Sequence, residues 1–247
     1  MNTELLVINI GNTNTQWVKV GNDNEFITQV NTLSTAAWQE DVTLLPQVAE
    51  DCQVWVACVV PQAKECLLQK KYYWQLKFVD VDSAERAGVD FSQMESSTLG
   101  ADRIANAAAM LEYPLPAANF DCGTAITMEV LDENRSFIGG AIMPGRKLMR
   151  KSLAQGTAAL PEIPLAEIVP DAVGRNTVQA MTLGIDRGAV GMVREMIAVV
   201  KTCGVRTLLV SGGDAPFFCK ALPELQAAGK DFTLRGIIVI AGKNQQY

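Results

Sequence analysis

The 247-residue chain is 49% hydrophobic, and its 21 basic and 27 acidic side chains give it a net charge of −6. This is the composition of an ordinary globular protein, and the lack of any basic run argues against a nucleic-acid partner. The absence of histidine excludes His-based nucleophile pairs and His-ligated metals, so a general base must be a carboxylate, Lys, Tyr or Cys. The absence of a C-x-x-C pair, of a secretory signal and of an apolar stretch of about 20 residues predicts a cytoplasmic protein that does not span a membrane.

The first half predicts a β-meander followed by alternating strands and helices. At its start, turn residues separate short apolar or alternating runs, which is the pattern of hairpin-connected strands. The predicted strands are Leu5–Ile10, Thr15–Val20, Glu25–Val30, Gln53–Val60 and Leu76–Val81. The predicted helices are Leu33–Glu50, Ala63–Tyr73 and Ala101–Glu112.

The second half repeats the beginning of the first. Asn9–Thr15 and Asp121–Thr127 share the pattern [DN]-x-G-x-x-x-T, and a strand, a polar turn and another strand follow each. The offset, 121 − 9 = 112 residues, is close to half the chain and indicates a duplicated unit. The Pro-containing segment 112–118 predicts a boundary between domains 1–115 and 116–247. The predicted strands are Ala118–Cys122, Thr127–Leu131, Ser136–Met143, Thr207–Ser211 and Gly236–Ile240, and the predicted helices are Arg146–Leu153, Asn176–Lys201 and Ala215–Ala228.

The two glycine turns are candidate phosphate-binding sites. Glycine lets the backbone approach a phosphate without a clashing Cβ, and nearby Thr and Asn side chains add short donors. The alternative is a pair of plain hairpins in a β-rich fold. The P-loop, the dinucleotide fingerprint and the nucleophile elbow are absent from the sequence. The candidate phosphate-binding residues are Asn9, Gly11, Asn12, Thr13, Asn14, Gly123, Thr124 and Thr127.

These turns and the segments around them resemble the actin-like ATPase and sugar-kinase superfamily, and more narrowly the type III pantothenate kinases. The resemblance covers nearly the whole chain. It implies an α/β fold of two similar actin-like (RNase H-like) lobes, each a mixed five-stranded sheet flanked by helices, with the nucleotide in an interlobe cleft. Nine segments in the family's order carry it: Asn9–Thr13, Cys58–Pro61, Gly100–Arg103, Asp121–Thr127, Gly139–Gly145, Gly174–Thr177, Gly184–Gly188, Ser211–Ala215 and Leu234–Ile237.

The resemblance also implies an activity and roles for residues. It implies ATP-dependent phosphorylation of pantothenate, with Mg²⁺, a monovalent cation (K⁺ or NH₄⁺) and a homodimer. Asp102 would be the general base, Arg103 would anchor the substrate, and Asp121 would hold the metal. Gly100, Ala101 and Thr177 would line the pantothenate site. The backbone of Gly212 and Gly213 would approach the adenine, although a plain strand-to-helix turn with an Asp cap explains that segment as well.

Two departures from the family pattern leave alternatives open. Asn9 stands where the family has an Asp, and a neutral amide is a poorer partner for Mg²⁺. The loop Phe91–Leu99 has Ser96 where a proline is expected, which concerns the lid over pantothenate. A catalytically weakened nucleotide-binding or regulatory protein of the same fold is therefore one alternative, since some relatives carry the name of a transcription accessory factor. A kinase for a different small alcohol is another.

Overall fold

Two five-stranded sheets with the same strand order form the framework of the protein, seen in a computed structural model that describes residues 5–21, 24–49, 52–69, 75–229 and 231–244. The first sheet has the order β3-β2-β1-β4-β5 and the second the order β10-β9-β6-β7-β8. The strands are β1 (Leu5–Ile10), β2 (Asn14–Val20), β3 (Asn31–Ser34), β4 (Gln53–Cys58), β5 (Gln75–Phe78), β6 (Ala117–Cys122), β7 (Ala125–Leu131), β8 (Phe137–Pro144), β9 (Thr207–Ser211) and β10 (Gln226–Gly229).

Eight helices accompany the sheets in the part of the chain that the structure describes. They are α1 (Thr35–Glu40), α2 (Pro61–Gln69), α3 (Val81–Arg86), α4 (Ala101–Met110), α5 (Arg146–Gly156), α6 (Thr177–Thr202), α7 (Ala215–Ala221) and α8 (Phe232–Lys243), with one 3-10 turn at Val42–Leu44. Over the same residues, no helix combines the length and the apolar character that crossing a membrane would need.

The strand order confirms the duplication predicted from the sequence. In each sheet the first strand of the repeat pairs antiparallel with the next strand and parallel with a later one: β1 with β2 and β4, and β6 with β7 and β9. Alternate side chains of β1 and β4 enter one core, and those of β6 and β9 enter the other. The glycine turns follow β1 and β6, so both occupy the same place in the repeated topology.

The described residues divide into two compact units. The first contains the residues up to Tyr113, residues 135–137 and those from Asp231 onward, and the second contains 114–134 and the remainder. Helix α8 therefore groups with the N-terminal residues, although it follows the second sheet in sequence. The boundary between 115 and 116 stays a prediction, and the structure adds that the chain returns to the first unit at its end.

The predicted strand Gly236–Ile240 is wrong, because these residues lie within α8. An apolar, β-branched run of this length does not distinguish a buried strand from a buried helix. Packing against α4 decides it. An ideal Cβ on Gly236 would overlap the Ala105 carbonyl, whose carbon would be 2.5 Å away, so the two backbones touch at this glycine. The buried Thr233 hydroxyl donates to Asn106 Oδ1 at 2.8 Å on the same helix pair.

The predicted helix Ala215–Ala228 is wrong beyond Ala221. Pro223 cannot donate the hydrogen bond that a continuing helix needs, and the following residues turn into β10 at the edge of the second sheet. Leu222 and Leu225 remain buried in this turn and contribute to the core of the second unit.

Two further elements predicted for the first unit, one strand and one helix, differ from the structure. The predicted strand Glu25–Val30 is wrong: only Phe26 forms an isolated bridge, and the strand that pairs with β2 is β3. The predicted helix Leu33–Glu50 is wrong at both ends, and Glu50 itself lies outside the described residues. Leu33 and Ser34 belong to β3, and α1 ends at Glu40, because Asp41 then caps a 3-10 turn and Pro46 follows.

Helix α3 was not predicted, since the expected strand extended to Val81. The observed strand β5 ends at Phe78, and the side chains of Asp80 and Ser83 form a reciprocal capping box that starts the helix. The Asp-x-x-Ser spacing was the available signal.

Candidate active site

The first glycine turn connects β1 to β2 and exposes short polar side chains. The Gly11 N–H donates to the Asn14 carbonyl at 3.0 Å, which closes the turn, and Asn12, Thr13 and Asn14 are exposed. Asn9 lies on the last part of β1, where its Oδ1 is buried and accepts no hydrogen bond from the described residues. The predicted phosphate-binding residues of this copy therefore lie together around one turn.

A buried chain of hydrogen bonds holds this turn from below. The Trp38 indole N–H donates to Thr15 Oγ1 at 2.7 Å, and the hydroxyls of Thr15 and Thr35 lie 3.0 Å apart. Thr35 Oγ1 in turn donates to the Gly11 carbonyl at 2.7 Å. All three side chains are at most 1% exposed. Two of the three hydrogen bonds are buried and the one to Gly11 is partly buried, so they tie the turn to helix α1.

The second glycine turn is one residue shorter than the first. Strand register pairs Ile10 with Thr15, but Cys122 with Ile126, so four residues lie between the last paired residues of β1 and β2 and three between those of β6 and β7. The shared T of the sequence pattern therefore differs in the two copies. Thr127 pairs with Asp121 across the strands. Thr15 instead belongs to the chain of hydrogen bonds beneath its turn, from Trp38 through Thr15 and Thr35 to Gly11, which we call the buried relay. The two copies match in topology but not residue by residue.

A third glycine turn, between β9 and α7, packs against the second. Gly212 has a φ of +85°, and an ideal Cβ on it would come within 2.6 Å of the Cys122 carbonyl oxygen and would overlap the Asp121 carboxylate. The Asp214 N–H donates to the same Cys122 carbonyl at 2.9 Å. The structure thus brings Gly212 next to Asp121 and to the Cys122 carbonyl.

The electrostatics around Asp121 suit a cation. Burial, followed by the negative charges of Asp121 and Asp214, raises the pKa of the Cys122 thiol well above its usual value. Burial also raises the pKa of the Asp214 carboxyl, although the Arg146 guanidinium opposes this. The partly exposed carboxylate of Asp121 is a hard oxygen ligand of the kind that Mg²⁺ prefers. Among the described residues, no group of three or more Cys, Asp or Glu side chains is placed to hold a metal ion.

Asp102 lies in the first turn of α4, where Gly100 is the N-cap. Its Oδ1 accepts a hydrogen bond from the Arg103 N–H at 2.8 Å, and a Cβ on Gly100 would approach that oxygen to 2.7 Å. Burial raises the pKa of the Asp102 carboxyl above its usual value, while Arg103 partly opposes the shift. A carboxylate with a raised pKa is a stronger base than an exposed one.

A cavity of about 550 Å³ opens beside this helix start in the first unit. Gly100 and Ala101 line it, together with Lys64 and Ser96. Asp102 and Arg103 are not among its lining residues, and the Arg103 guanidinium lies 5.8 Å from the centre of the Phe137 ring.

Thr177, also predicted at the substrate site, lies in the second unit. It is the first residue of α6 and lines a largely apolar cavity of about 720 Å³ between α5 and α6. The structure therefore brings Gly100, Ala101, Asp102 and Arg103 together within one unit, and Thr177 lies at a different cavity.

Sequence reasoning missed the residues that support the turns. Trp38 and Thr35 lie outside every motif, and only their tertiary contacts reveal them. Asp214 lies within a recognised segment and Arg146 directly follows one, yet nothing in the sequence indicates that they bind each other at 2.7 Å.

Comparison with known proteins identifies close sequence relatives. A family model described as type III pantothenate kinase matches residues 5–199. A type III pantothenate kinase from Rhodospirillum rubrum is 31% identical, and the alignment covers 98% of this chain and 99% of the relative. One from Akkermansia muciniphila is 33% identical over 82% of this chain and 77% of the relative.

Solved structures share the fold at much lower identity. A conserved putative Baf family transcriptional activator from Campylobacter jejuni has a TM-score of 0.64 and 22% identity, and the match covers 98% of this chain and all of that one. A putative 2-dehydro-3-deoxygalactonokinase from Sinorhizobium meliloti has a TM-score of 0.58 and 9% identity, over 98% and 99% of the two chains. These likenesses concern the fold alone, and they confirm the predicted fold class.

Proposed function

The chain belongs to the type III pantothenate kinase family, and on that premise we propose that it phosphorylates pantothenate to 4′-phosphopantothenate with ATP, the first step of coenzyme A biosynthesis. The observation that carries the proposal is the family match over residues 5–199, a range that includes both glycine turns and Asp102. The names of the relatives favour this activity over the weakened-binding alternative.

In this proposal the glycine turns hold the phosphates of the nucleotide. Backbone N–H groups and exposed hydroxyl and amide groups bind phosphate oxygens, and the backbone at Gly212 and Gly213 approaches the adenine. Phosphoryl transfer depends mainly on positioning and on neutralising charge, so turns held by buried contacts suit it. The hydrogen-bonded support of Gly11 and the packing of Gly212 against Cys122 favour this role.

Asp121 is the residue that would hold Mg²⁺, because its carboxylate lies beside the second and third turns. The ion would neutralise charge on the phosphates during transfer. Asn9, at the matching place in the first repeat, is neutral and contributes an amide oxygen.

Asp102 is the proposed general base. Its carboxylate accepts the proton of the pantothenate 4′-hydroxyl as the alcohol oxygen attacks the γ-phosphorus, and ADP leaves in line. Gly100 and Ala101 line the cavity beside it, which supports a substrate position at the start of α4. Arg103 serves as the partner of the substrate carboxylate if its side chain turns away from the Phe137 ring.

The remaining assignments are a homodimer, a monovalent cation (K⁺ or NH₄⁺) at the pantothenate site and a cytoplasmic location. Exposed apolar side chains on the second unit support a subunit interface there. Ile142, Ile168 and Val173 are 68%, 73% and 80% exposed.

A substrate panel tests the activity. Purified protein with ATP, Mg²⁺ and K⁺ is assayed for ADP formation with pantothenate and with other small alcohols, beside an Asp102→Asn control. The proposal expects pantothenate to give the highest kcat/KM. A higher value for another alcohol would favour the different-substrate alternative, and ADP formation that does not depend on the alcohol would contradict kinase activity altogether.

Asn9→Asp separates the kinase from the weakened-binding alternative. The proposal expects the native protein to turn over already, and the substitution to change kcat by less than about tenfold, because the added carboxylate acts only through metal and phosphate charge. Mg²⁺ titrations of both proteins at saturating ATP give the comparison. Turnover that appears only in the Asn9→Asp protein would instead support the regulatory alternative.

A further inference from the structure

A buried guanidinium lies between the elements that carry the glycine turns of the second unit. Arg146 is the first residue of α5 and is 1% exposed. Its Nε donates to Asp186 at 2.9 Å, its Nη1 to Asp214 at 2.7 Å, and its Nη2 to the Ala166 carbonyl at 2.5 Å. Because the side chain is buried and each of its three nitrogens donates to a protein oxygen, we assign it a supporting role and not direct phosphate binding.

The residue before Arg146 packs against the second glycine turn. Gly145 precedes Arg146, and its N–H donates to the Thr124 carbonyl at 3.1 Å. An ideal Cβ on Gly145 would lie 2.5 Å from the same oxygen and would overlap the Gly123 carbonyl. The start of α5 therefore sits directly against the backbone of that turn, with no space for a side chain.

The Arg146 side chain binds the third glycine turn. Asp214 ends that turn, and its carboxylate accepts the 2.7 Å hydrogen bond from Arg146. The Arg146 guanidinium also lies 3.3 Å from the centre of the Phe217 ring, on the helix that follows. One side chain thus binds the turn through its acid and α7 through an aromatic face.

A second buried arginine offers a matched comparison. Arg150, also 1% exposed, donates from Nη2 to Asp186 Oδ2 at 3.0 Å and from Nε to the Pro164 carbonyl at 3.1 Å. Asp186 is fully buried and lies between the two guanidinium groups. Arg150 Nη1 also donates to the Arg146 carbonyl at 3.3 Å. Arg146 and Arg150 therefore share burial, charge and an acidic partner, but it is Arg146 that donates a hydrogen bond to Asp214.

We propose that Arg146 is a positioning residue for nucleotide binding: it fixes the spacing between the second and third glycine turns. This inference rests on the proposed function, since it assigns the nucleotide to those turns. Lysine in place of Arg146 keeps the charge but loses the planar fork, so it cannot bind Asp186 and Asp214 together. Without that link the third glycine turn becomes more flexible in the free protein. Nucleotide binding must then order it, which weakens the affinity.

The test compares Arg146→Lys with Arg150→Lys. The measurements are the Kd of Mg²⁺ with a non-hydrolysable ATP analogue by calorimetry, the KM for pantothenate and the urea midpoint. We expect the Kd to rise about tenfold in Arg146→Lys and to stay within about twofold in Arg150→Lys, at similar losses of stability. The KM for pantothenate at saturating ATP should change little in either. Equal Kd values in the two variants would overturn the positioning role.

Asp214→Ala supplies a second route if Arg146→Lys folds poorly. It removes the same link from the other side, so its Kd should also rise, and the double variant should be little worse than the weaker-binding single variant. Fully additive losses would contradict a shared role. Failure of the native protein to bind nucleotide would contradict the proposed function, whereas native-like affinity in Arg146→Lys would contradict the positioning role alone.

Discussion

Replacing Trp38 with phenylalanine tests whether the buried relay holds the first glycine turn for nucleotide. The substitution removes the indole N–H that donates to Thr15 at 2.7 Å and leaves an aromatic ring in the core. Thr15 keeps its contact with the Thr35 hydroxyl, and Thr35 still donates to the Gly11 carbonyl. The perturbation therefore loosens the far end of the relay without deleting it.

Trp38→Phe changes stability and nucleotide affinity in two ways: it removes one buried hydrogen bond, and it replaces the indole with a smaller ring. A net loss of about 1 kcal/mol is expected for the hydrogen bond, which corresponds to at most about a fivefold rise in the nucleotide Kd. Trp55→Phe is the matched control, because Trp55 is 3% exposed and its Nε1 has no hydrogen-bond partner among the described residues. The same ring atoms are lost there with no hydrogen bond, so Trp38→Phe should be about 1–2 kcal/mol less stable than Trp55→Phe.

Urea unfolding measures the stability difference, and calorimetry with a non-hydrolysable ATP analogue measures the Kd. The relay predicts a weaker Kd in Trp38→Phe only. Equal stability and equal nucleotide affinity in the two variants would refute the reasoning, since both lose the same volume from buried sites.

Two further substitutions test the base and the helix packing. Asp102→Asn should lower kcat by about 10²–10⁴-fold, and it should raise stability at neutral pH, because burial raises the pKa of the Asp102 carboxyl and so disfavours the ionised form. For the same reason kcat/KM of the native protein should fall as pH decreases through that raised pKa, and a flat profile there would count against Asp102 as base. Gly236→Ala should cost about 2 kcal/mol or more, measured by urea unfolding, because its Cβ overlaps the Ala105 carbonyl. Gly191→Ala, where nothing lies within 4 Å of the new Cβ, should instead be neutral or stabilising by up to about 1 kcal/mol.

Local signals in the sequence were enough for the elements bounded by turn residues. Strands β1 and β9 have the predicted bounds, since each is a short apolar run that ends in glycine or serine. Helix α8 was not predictable in this way. Its apolar run fits a buried strand equally well, and its packing against Ala105, more than 120 residues earlier in the chain, decides the structure.

In the candidate site, too, features with local sequence signals were predictable and those that depend on distant contacts were not. The glycine turns were recognisable because their backbone requirements are local. The supports beneath them were not, because Trp38 reaches its turn from α1 and Arg146 reaches Asp214 across 68 residues. The sequence repeat was itself misleading in one detail: Thr15 and Thr127 align by pattern, yet the unequal turn lengths give them different neighbours.

Direct identification of the product tests the central claim. Purified protein is incubated with ATP, Mg²⁺, K⁺ and pantothenate, and the products are analysed by mass spectrometry and ³¹P NMR. The account predicts pantothenate carrying one phosphate on its 4′-oxygen, formed in equal amount with ADP and strongly reduced in the Asp102→Asn protein. Tight ATP binding with no phosphorylated pantothenate would contradict it.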